Sequence, residues 1–335
     1  MSITKKNGSR DRGARRGISD RTLNRLIVGL VVALLIGVPV IAITYYADRH
    51  VDGGPSMSQR AVNAAEEAVR NDPNLLSARM ALAAAYANDN RPADAIAQYD
   101  IVLQTEPGSR AALLGRGDAY RANSDLDSAA LDYQALIDAA KDEEMAAVDR
   151  QLEAAYYGLG FIQFQQNKAR DAAVNLANAL VIDRTDADAL DLMGRSLIAI
   201  GDYDSAIDAL HDAVALVPTG WCDPYDHLAE AYQAKSDADG AAYASGMVAL
   251  CEDRPDDAQQ ALEPLVEGAY GRDALIGLAL TAEKRGDTAA AANYYEQVYA
   301  QNPSDFAAIT GLARVGGQAS PATPPVATPA ASLEP

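Results

Sequence analysis

The sequence predicts an all-α protein built from a repeated pair of helices. Three observations carry this. Aromatic residues make up 6% of a chain that is 49% hydrophobic, a small-residue composition suited to closely packed helices rather than sheets. A segment pattern of Leu or Met, a small residue, then an apolar ring or chain recurs at intervals near 34 residues, as in LAAAYANDNRPADAIAQYDIVLQTEP at 82–107 and LALTAEKRGDTAAAANYYEQVYAQNP at 278–303. Prolines close several of these segments at Pro73, Pro107, Pro218 and Pro303, where a residue lacking an amide hydrogen ends a helix.

The chain opens differently. Residues 1–25 carry Lys5, Lys6, Arg10, Arg12, Arg15, Arg16, Arg21 and Arg25 against Asp11 and Asp20. Residues 26–47, LIVGLVVALLIGVPVIAITYYA, contain no charge. At about 1.5 Å per residue such a run spans a hydrocarbon layer roughly 30 Å thick, so it reads as one transmembrane helix with Tyr45 and Tyr46 at the interface. A cleaved signal peptide is the rival reading, but its apolar region would be shorter and its cleavage site smaller than Tyr45 and Tyr46 permit. The basic flank then stays cytoplasmic, and everything beyond it lies outside a single-pass cell membrane anchor. Gly29, Ala33 and Gly37 recur every fourth residue, a face that lets two such helices approach, although small residues are common in membrane helices anyway. A linker covers 48–57, with Asp52, Gly53, Gly54 and Pro55.

From residue 58 to 315 the repeat takes over. Its second helix carries alanine at Ala95, Ala129, Ala172, Ala206, Ala258 and Ala291, and its first helix carries Ala83, Gly117, Gly160 or Gly194. These expectations place small residues opposite one another and Tyr86, Tyr99, Tyr120 and Tyr133 between hairpins. The steps between the alanines are 34, 43, 34, 52 and 33 residues. In the 43-residue step, nine extra residues within LIDAAKDEEMAAVDRQLEAA are expected to extend two helices around a turn near Lys141 to Glu144. The 52-residue step predicts one extra helix near 239–251 serving two hairpins. Residues 58–73 read as a lone second helix and 305–315 as a lone first helix, a cap for the open end. Residues 316–335, rich in proline and alanine, read as a disordered tail.

Paired helices at this period and with these residues resemble the tetratricopeptide repeat family, and the resemblance covers nearly all of the chain beyond the linker. It implies an α-solenoid whose first helices line a concave groove for protein or peptide partners. Carried over by position, the groove is expected to present Met80 and Asn88, with Ser77 and Ala84; then Leu114, Asp118 and Arg121; then Tyr157, Phe161 and Phe164. Asp191 and Arg195, with Asp188, continue it, followed by Asp226, Glu230 and Gln233. Met80, Leu114 and Tyr157 are equivalent positions and predict an apolar track; the competing reading has the inserted helices covering the rings. The Lys and Asn clamp by which chaperone-binding members hold a carboxylate has Met80 and Ala84 in its place.

WCDPYDHLAEAY at 221–232 holds the chain's only tryptophan and one of two cysteines. Helices near 223–234 and 239–251 would turn at Lys235 to Ala238, which sets Cys222 beside Cys251. Outside the membrane that pair reads as a structural disulfide; two unpaired buried thiols are the alternative. Asp223, His227 and Glu230 share a helical face with ligand-like spacing, yet no second histidine or cysteine pair is near, and the face reads as acidic and solvated. The SDADG segment at 236–240 lacks the distal glutamate of a calcium loop. No phosphate loop, HExxH or GxSxG occurs, and the histidines are His50, His211 and His227, so no catalytic or cofactor residue is assigned. A net charge of -19 argues against a nucleic-acid partner. The sequence therefore predicts a non-catalytic scaffold or adaptor of a bacterial cell envelope. An assembly factor for a secreted apparatus or for c-type cytochromes is a narrower reading of the same architecture, and an enzyme or metal-binding protein a third.

Overall fold

The computed structural model describes residues 38–40 and 55–316. The expected span at 26–47 lies outside them except for Val38, Pro39 and Val40, which are helical. The Gly29, Ala33 and Gly37 face, the basic segment 1–25 and the tail beyond Gly316 also lie outside. Among the described residues no helix is long and apolar enough to cross a membrane. The chain divides into two compact units, residues 1–64 and 65–335. The described part of the first comprises residues 38–40 and 55–64, the latter including the start of helix α1 (Met57–Asn71).

The second unit is a succession of antiparallel helices with no strand among the described residues. Its hairpins are α2 (Leu76–Asn88) with α3 (Pro92–Thr105), α4 (Arg110–Ala122) with α5 (Leu126–Ala140), α6 (Arg150–Gln165) with α7 (Ala169–Ile182), and α8 (Ala187–Ile200) with α9 (Tyr203–Leu216). Then follow α10 (Asp223–Ala234), α11 (Ala238–Cys251), α12 (Pro255–Leu262), α13 (Gly271–Lys284), α14 (Thr288–Gln301) and α15 (Phe306–Val315). Each of Pro73, Pro107, Pro218 and Pro303 sits just past the helix it follows.

The repeat has a definite interlock. All six alanines of the second helices are fully buried, and four residues after each stands a bulky side chain that is also buried: Tyr99, Tyr133, Leu176, Leu210, Leu262 and Tyr295. It is this residue, rather than the alanine, that fills the notch left by the small residue of a first helix. A Cβ on Gly160 would lie 2.9 Å from Leu176 Cγ, and one on Gly194 would lie 2.5 Å from Leu210 Cγ. Tyr133 fills two notches, at 2.8 Å from Gly117 and 2.7 Å from Gly158.

The turns repeat as closely as the core. Asn90, Ser124, Asn167, Gly201, Ser236, Asp253 and Gly286 all have positive φ, between 57° and 81°, and each lies seven residues after the small residue of its first helix. A left-handed residue lets the chain reverse without further length. Aspartates then start the helices: Asp125, Asp186, Asp202, Asp237, Asp287 and Asp305 each accept a hydrogen bond from a first-turn amide, and Asp149 accepts two. Carboxylates at these termini also oppose the positive end of the helix dipole.

Two departures from the regular period resolve differently. The first insertion lengthens the helices little: α5 has 15 residues and α6 has 16, and most of the added chain forms the connection 141–149 with a 3-10 turn at Ala146–Val148. Arg110 holds that connection by ion pairs of 2.9 Å to Glu143 and 2.8 Å to Asp149. The second departure is α11, which closes on α10 yet presents Gly246 to Leu262 of α12, with a Cβ distance of 2.9 Å. Ser245, at the bulky position expected for a partner of α10, is exposed, because α11 turns that face away. Cys222 and Cys251 form a disulfide with Cα atoms 5.7 Å apart, joining the start of α10 to the end of α11.

Substituting Gly194→Val should lower the unfolding free energy in denaturant titration by about 1–3 kcal/mol through overpacking, and Leu210→Ala by about 2–5 kcal/mol through the cavity it leaves. The double variant should cost less than the sum, because the truncated side chain vacates the added methyls. Replacing both Cys222 and Cys251 by Ser should cost about 3–4 kcal/mol, the chain-entropy value for a loop of this length, in the same assay.

Candidate functional site

The first helices form two runs. In the first, α4 packs on α6, α6 on α8 and α8 on α10; in the second, α11 packs on α13 and α13 on α15. The runs meet at the disulfide-linked pair α10 and α11.

On the first run the structure brings together the middle of the expected groove. Tyr157, Phe161 and Phe164 of α6 are half-buried and pack against Ala172, Leu176, Ala189 and Leu192. The remaining faces of Phe161 and Phe164 meet arginines from the two neighbouring first helices. Arg121 of α4 lies 5.5 Å from the Phe161 ring centroid, and Arg195 of α8 lies 4.8 Å from that of Phe164. Such stacks are worth about 0.5–1 kcal/mol where exposed, enough to orient each guanidinium without holding it rigidly. Burial, then Asp188, pushes the Tyr157 hydroxyl pKa up. Met80 and Leu114 are half-buried, and Asn88, Ser77, Ala84, Asp188, Asp226, Glu230 and Gln233 are exposed.

Two members of the expected set are committed elsewhere. Asp118 accepts a hydrogen bond of 2.7 Å from the Tyr133 hydroxyl, tying the buried knob of α5 to the open edge of α4. Asp191 departs from the expectation of an open groove residue: it is buried at 5% exposure, and its Oδ1 lies 2.8 Å from His227 Nδ1. Arg195 also approaches it at 3.8 Å. His227 therefore serves as a bridge between α8 and α10, rather than standing on a solvated acidic face with Asp223 and Glu230. A buried carboxylate needs such a partner, since desolvation without one is costly. Among the described residues no group of three or more His, Cys, Asp or Glu side chains is placed to hold a metal ion.

The second run has a feature the sequence reading did not reach. Met247, Leu250 and Cys251 of α11, Leu280, Glu283 and Lys284 of α13, Arg314 of α15 and the loop Pro218 to Gly220 enclose a cavity of about 540 Å³. Glu283 accepts two hydrogen bonds of 2.7 Å from Arg314 and one of 2.5 Å from the Tyr295 hydroxyl. The signal was present in the glycines. Once Gly246 is placed in register with Gly160 and Gly194, Met247 and Leu250 fall where Phe161 and Phe164 stand.

Carboxylates crowd the edge of the first run. Glu153 of α6 shares a hydrogen bond with Asp186, and burial followed by that bond raises its pKa to about 7. Burial, then Glu252, raises that of Asp226. Asp183 has its pKa held near 2 by hydrogen bonds from Thr185 and by Arg150.

Models of the tetratricopeptide repeat match residues 80–144 and 243–306, and a further model of the same repeat matches 188–219. The chain belongs to the tetratricopeptide repeat family. The crystal structure of YrrB, described as a TPR protein with an unusual peptide-binding site, is 18% identical, covering 61% of this chain and 100% of that one at a TM-score of 0.50. The crystal structure of MamA is 22% identical, covering 54% of this chain and 93% of its own at 0.48. MamA from Desulfovibrio magneticus RS-1 is 18% identical, with 54% and 96% covered at 0.48. No curated protein matches the chain. Members of the family are typically non-catalytic protein-binding scaffolds.

Because the folded pKa of Glu153 stands above an unfolded value of about 4.3, its bound proton stabilises the fold below that value, and the contribution is lost as pH rises through about 7. Denaturation series from pH 5 to 8 should show wild type losing stability relative to Glu153→Gln; parallel curves would remove the shared proton from the account.

Proposed function

We propose that this chain is a scaffold of the cell envelope that binds partner polypeptides along its first helices, anchored by a helix at 26–47 with its basic flank in the cytoplasm. The observation that carries the binding reading is the ladder Arg121, Phe161, Phe164 and Arg195, in which two stacked pairs contributed by three successive first helices line one face. Half-buried rings offer apolar contact area at low entropic cost, and the arginines, 40% and 39% exposed, can release their stacks to accept a carbonyl or carboxylate from a bound segment. The family supports protein partners, and the peptide-binding site named for YrrB supports a peptide as the element recognised. The uncharged run and its basic flank support the anchor.

Arg121→Gln combined with Arg195→Gln should strongly weaken crosslinked partner capture in native membranes while costing no more than about 1 kcal/mol per exposed ion pair, since His227 still covers Asp191. Tyr157→Ala with Phe161→Ala should reduce both capture and melting temperature, since these rings also pack on Leu176 and Leu192. Capture unchanged in the arginine variant would end the reading of this face as the binding surface. Protease added to intact cells should digest the repeat region; its survival would refute the extracytoplasmic placement.

A further inference from the structure

A second apolar recess lies between the second helices α7 and α9, on the side of α8 away from the aromatic ladder. Leu190 and Met193 of α8 form its floor with Ala177, Leu180 and Val181 of α7 and Ala209 of α9; Arg184, Ser205, Asp208 and Asp212 stand around it, and it encloses about 440 Å³. At about 100° per residue, Leu190 and Met193 point roughly 100° to 160° away from Asp188, Asp191 and Arg195 on the same helix. The recess is thus separate from the face assigned to binding above.

Its floor is apolar and its rim carries charge. Val181 on the rim is 67% exposed and adjoins the half-buried Leu180 and Met193, so the apolar surface runs from floor to rim. Asp208 and Asp212 are one helical turn apart on α9 and form no ion pair among the described residues, unlike Asp204 nearby, which pairs with Lys235. Arg184 on the opposite rim is likewise without an ion pair among the described residues. A helix laid along the recess would bury its apolar stripe on Val181, Leu180 and Met193. Its edge above α9 would then meet two carboxylates at the spacing that Lys or Arg residues one turn apart match.

We propose that this second-helix face docks an amphipathic helix of a partner polypeptide, with basic residues one turn apart along one edge. The reading is independent of the aromatic ladder, so the chain would hold two partners on opposite sides of the same hairpins.

The test uses the full chain in mild detergent and two short fluorescent helical peptides sharing one leucine stripe, one with lysines along an edge and the other with glutamates there. The lysine peptide should bind. Val181→Asp and the pair Asp208→Lys with Asp212→Lys should each weaken it by about tenfold or more, and the lysine pair should gain affinity for the glutamate peptide. Circular dichroism checks that the variants, all at exposed positions, remain folded. Arg121→Gln with Arg195→Gln, which removes the ladder's cations and leaves its rings in place, should leave this binding unchanged, which keeps failure here distinct from failure of the ladder reading. No binding, equal binding of the two peptides, or binding that follows Arg121 and Arg195 would overturn the proposal. Dimerisation of the chain without peptide that Val181→Asp abolishes would assign the recess to a second copy and overturn the basic helix as its occupant.

Discussion

The packing of this protein depends on one contact repeated along it: a bulky side chain of a second helix seated in the notch left by glycine or alanine on a first helix. Leu176 in Gly160 and Leu210 in Gly194 bring two helix backbones together at a fixed axial register. Interiors packed to crystal density tolerate little variation in such a contact. The register then sets where each hairpin must turn, which is why the left-handed residue recurs seven positions after the notch, even where Asn167, Ser236 or Asp253 must occupy it in place of glycine. Tyr133 extends the principle between hairpins by filling Gly117 and Gly158 at once. The aromatic ladder of α6 follows from it too, since its rings rest on Leu176, the knob of their own hairpin.

The strongly acidic composition has a local origin. Many of the aspartates begin helices, where their oxygens satisfy amides that the helix itself leaves bare. Others join hairpins: Arg116 takes both oxygens of Asp132 at 2.8 and 2.7 Å while reaching Asp100 at 2.6 Å, tying three successive helices together. Arg272 makes the same kind of link to the cap residue Asp305, at 3.0 Å. Charge in this fold is therefore spent largely on helix ends and on hairpin junctions. The acids left without such duties, Asp208 and Asp212 among them, stand out against that background.

The repeat, its period and its turns were legible because glycine, alanine and proline report backbone requirements directly. The register of α10 and α11 was legible for the same reason, as symmetry about a turn places Cys222 opposite Cys251. What remained hidden was everything that depends on side chains from different hairpins. Asp191 reads as an open groove position, and nothing local in its sequence indicates that His227, 36 residues on, covers it. The cavity of the second run is not visible in the sequence because the expected groove positions end at Gln233, and the loop Pro218 to Gly220 and Arg314, far apart in the chain, meet only once α11, α13 and α15 are packed. The nine-residue insertion looked like added helix because its alanines suit one; Asp149, as a cap, starts α6 afresh and leaves the surplus in the connection.

The shared helix α11 has a consequence for how the chain engages anything long. A tight turn joins α10 to α11 and a disulfide closes the far end, so the two are antiparallel. First helices before this point and first helices after it therefore point in opposite directions. A ligand threaded along one stretch would find the polarity of the next reversed, and would have to double back to satisfy both. Two short segments, each lying on one run, face no such reversal.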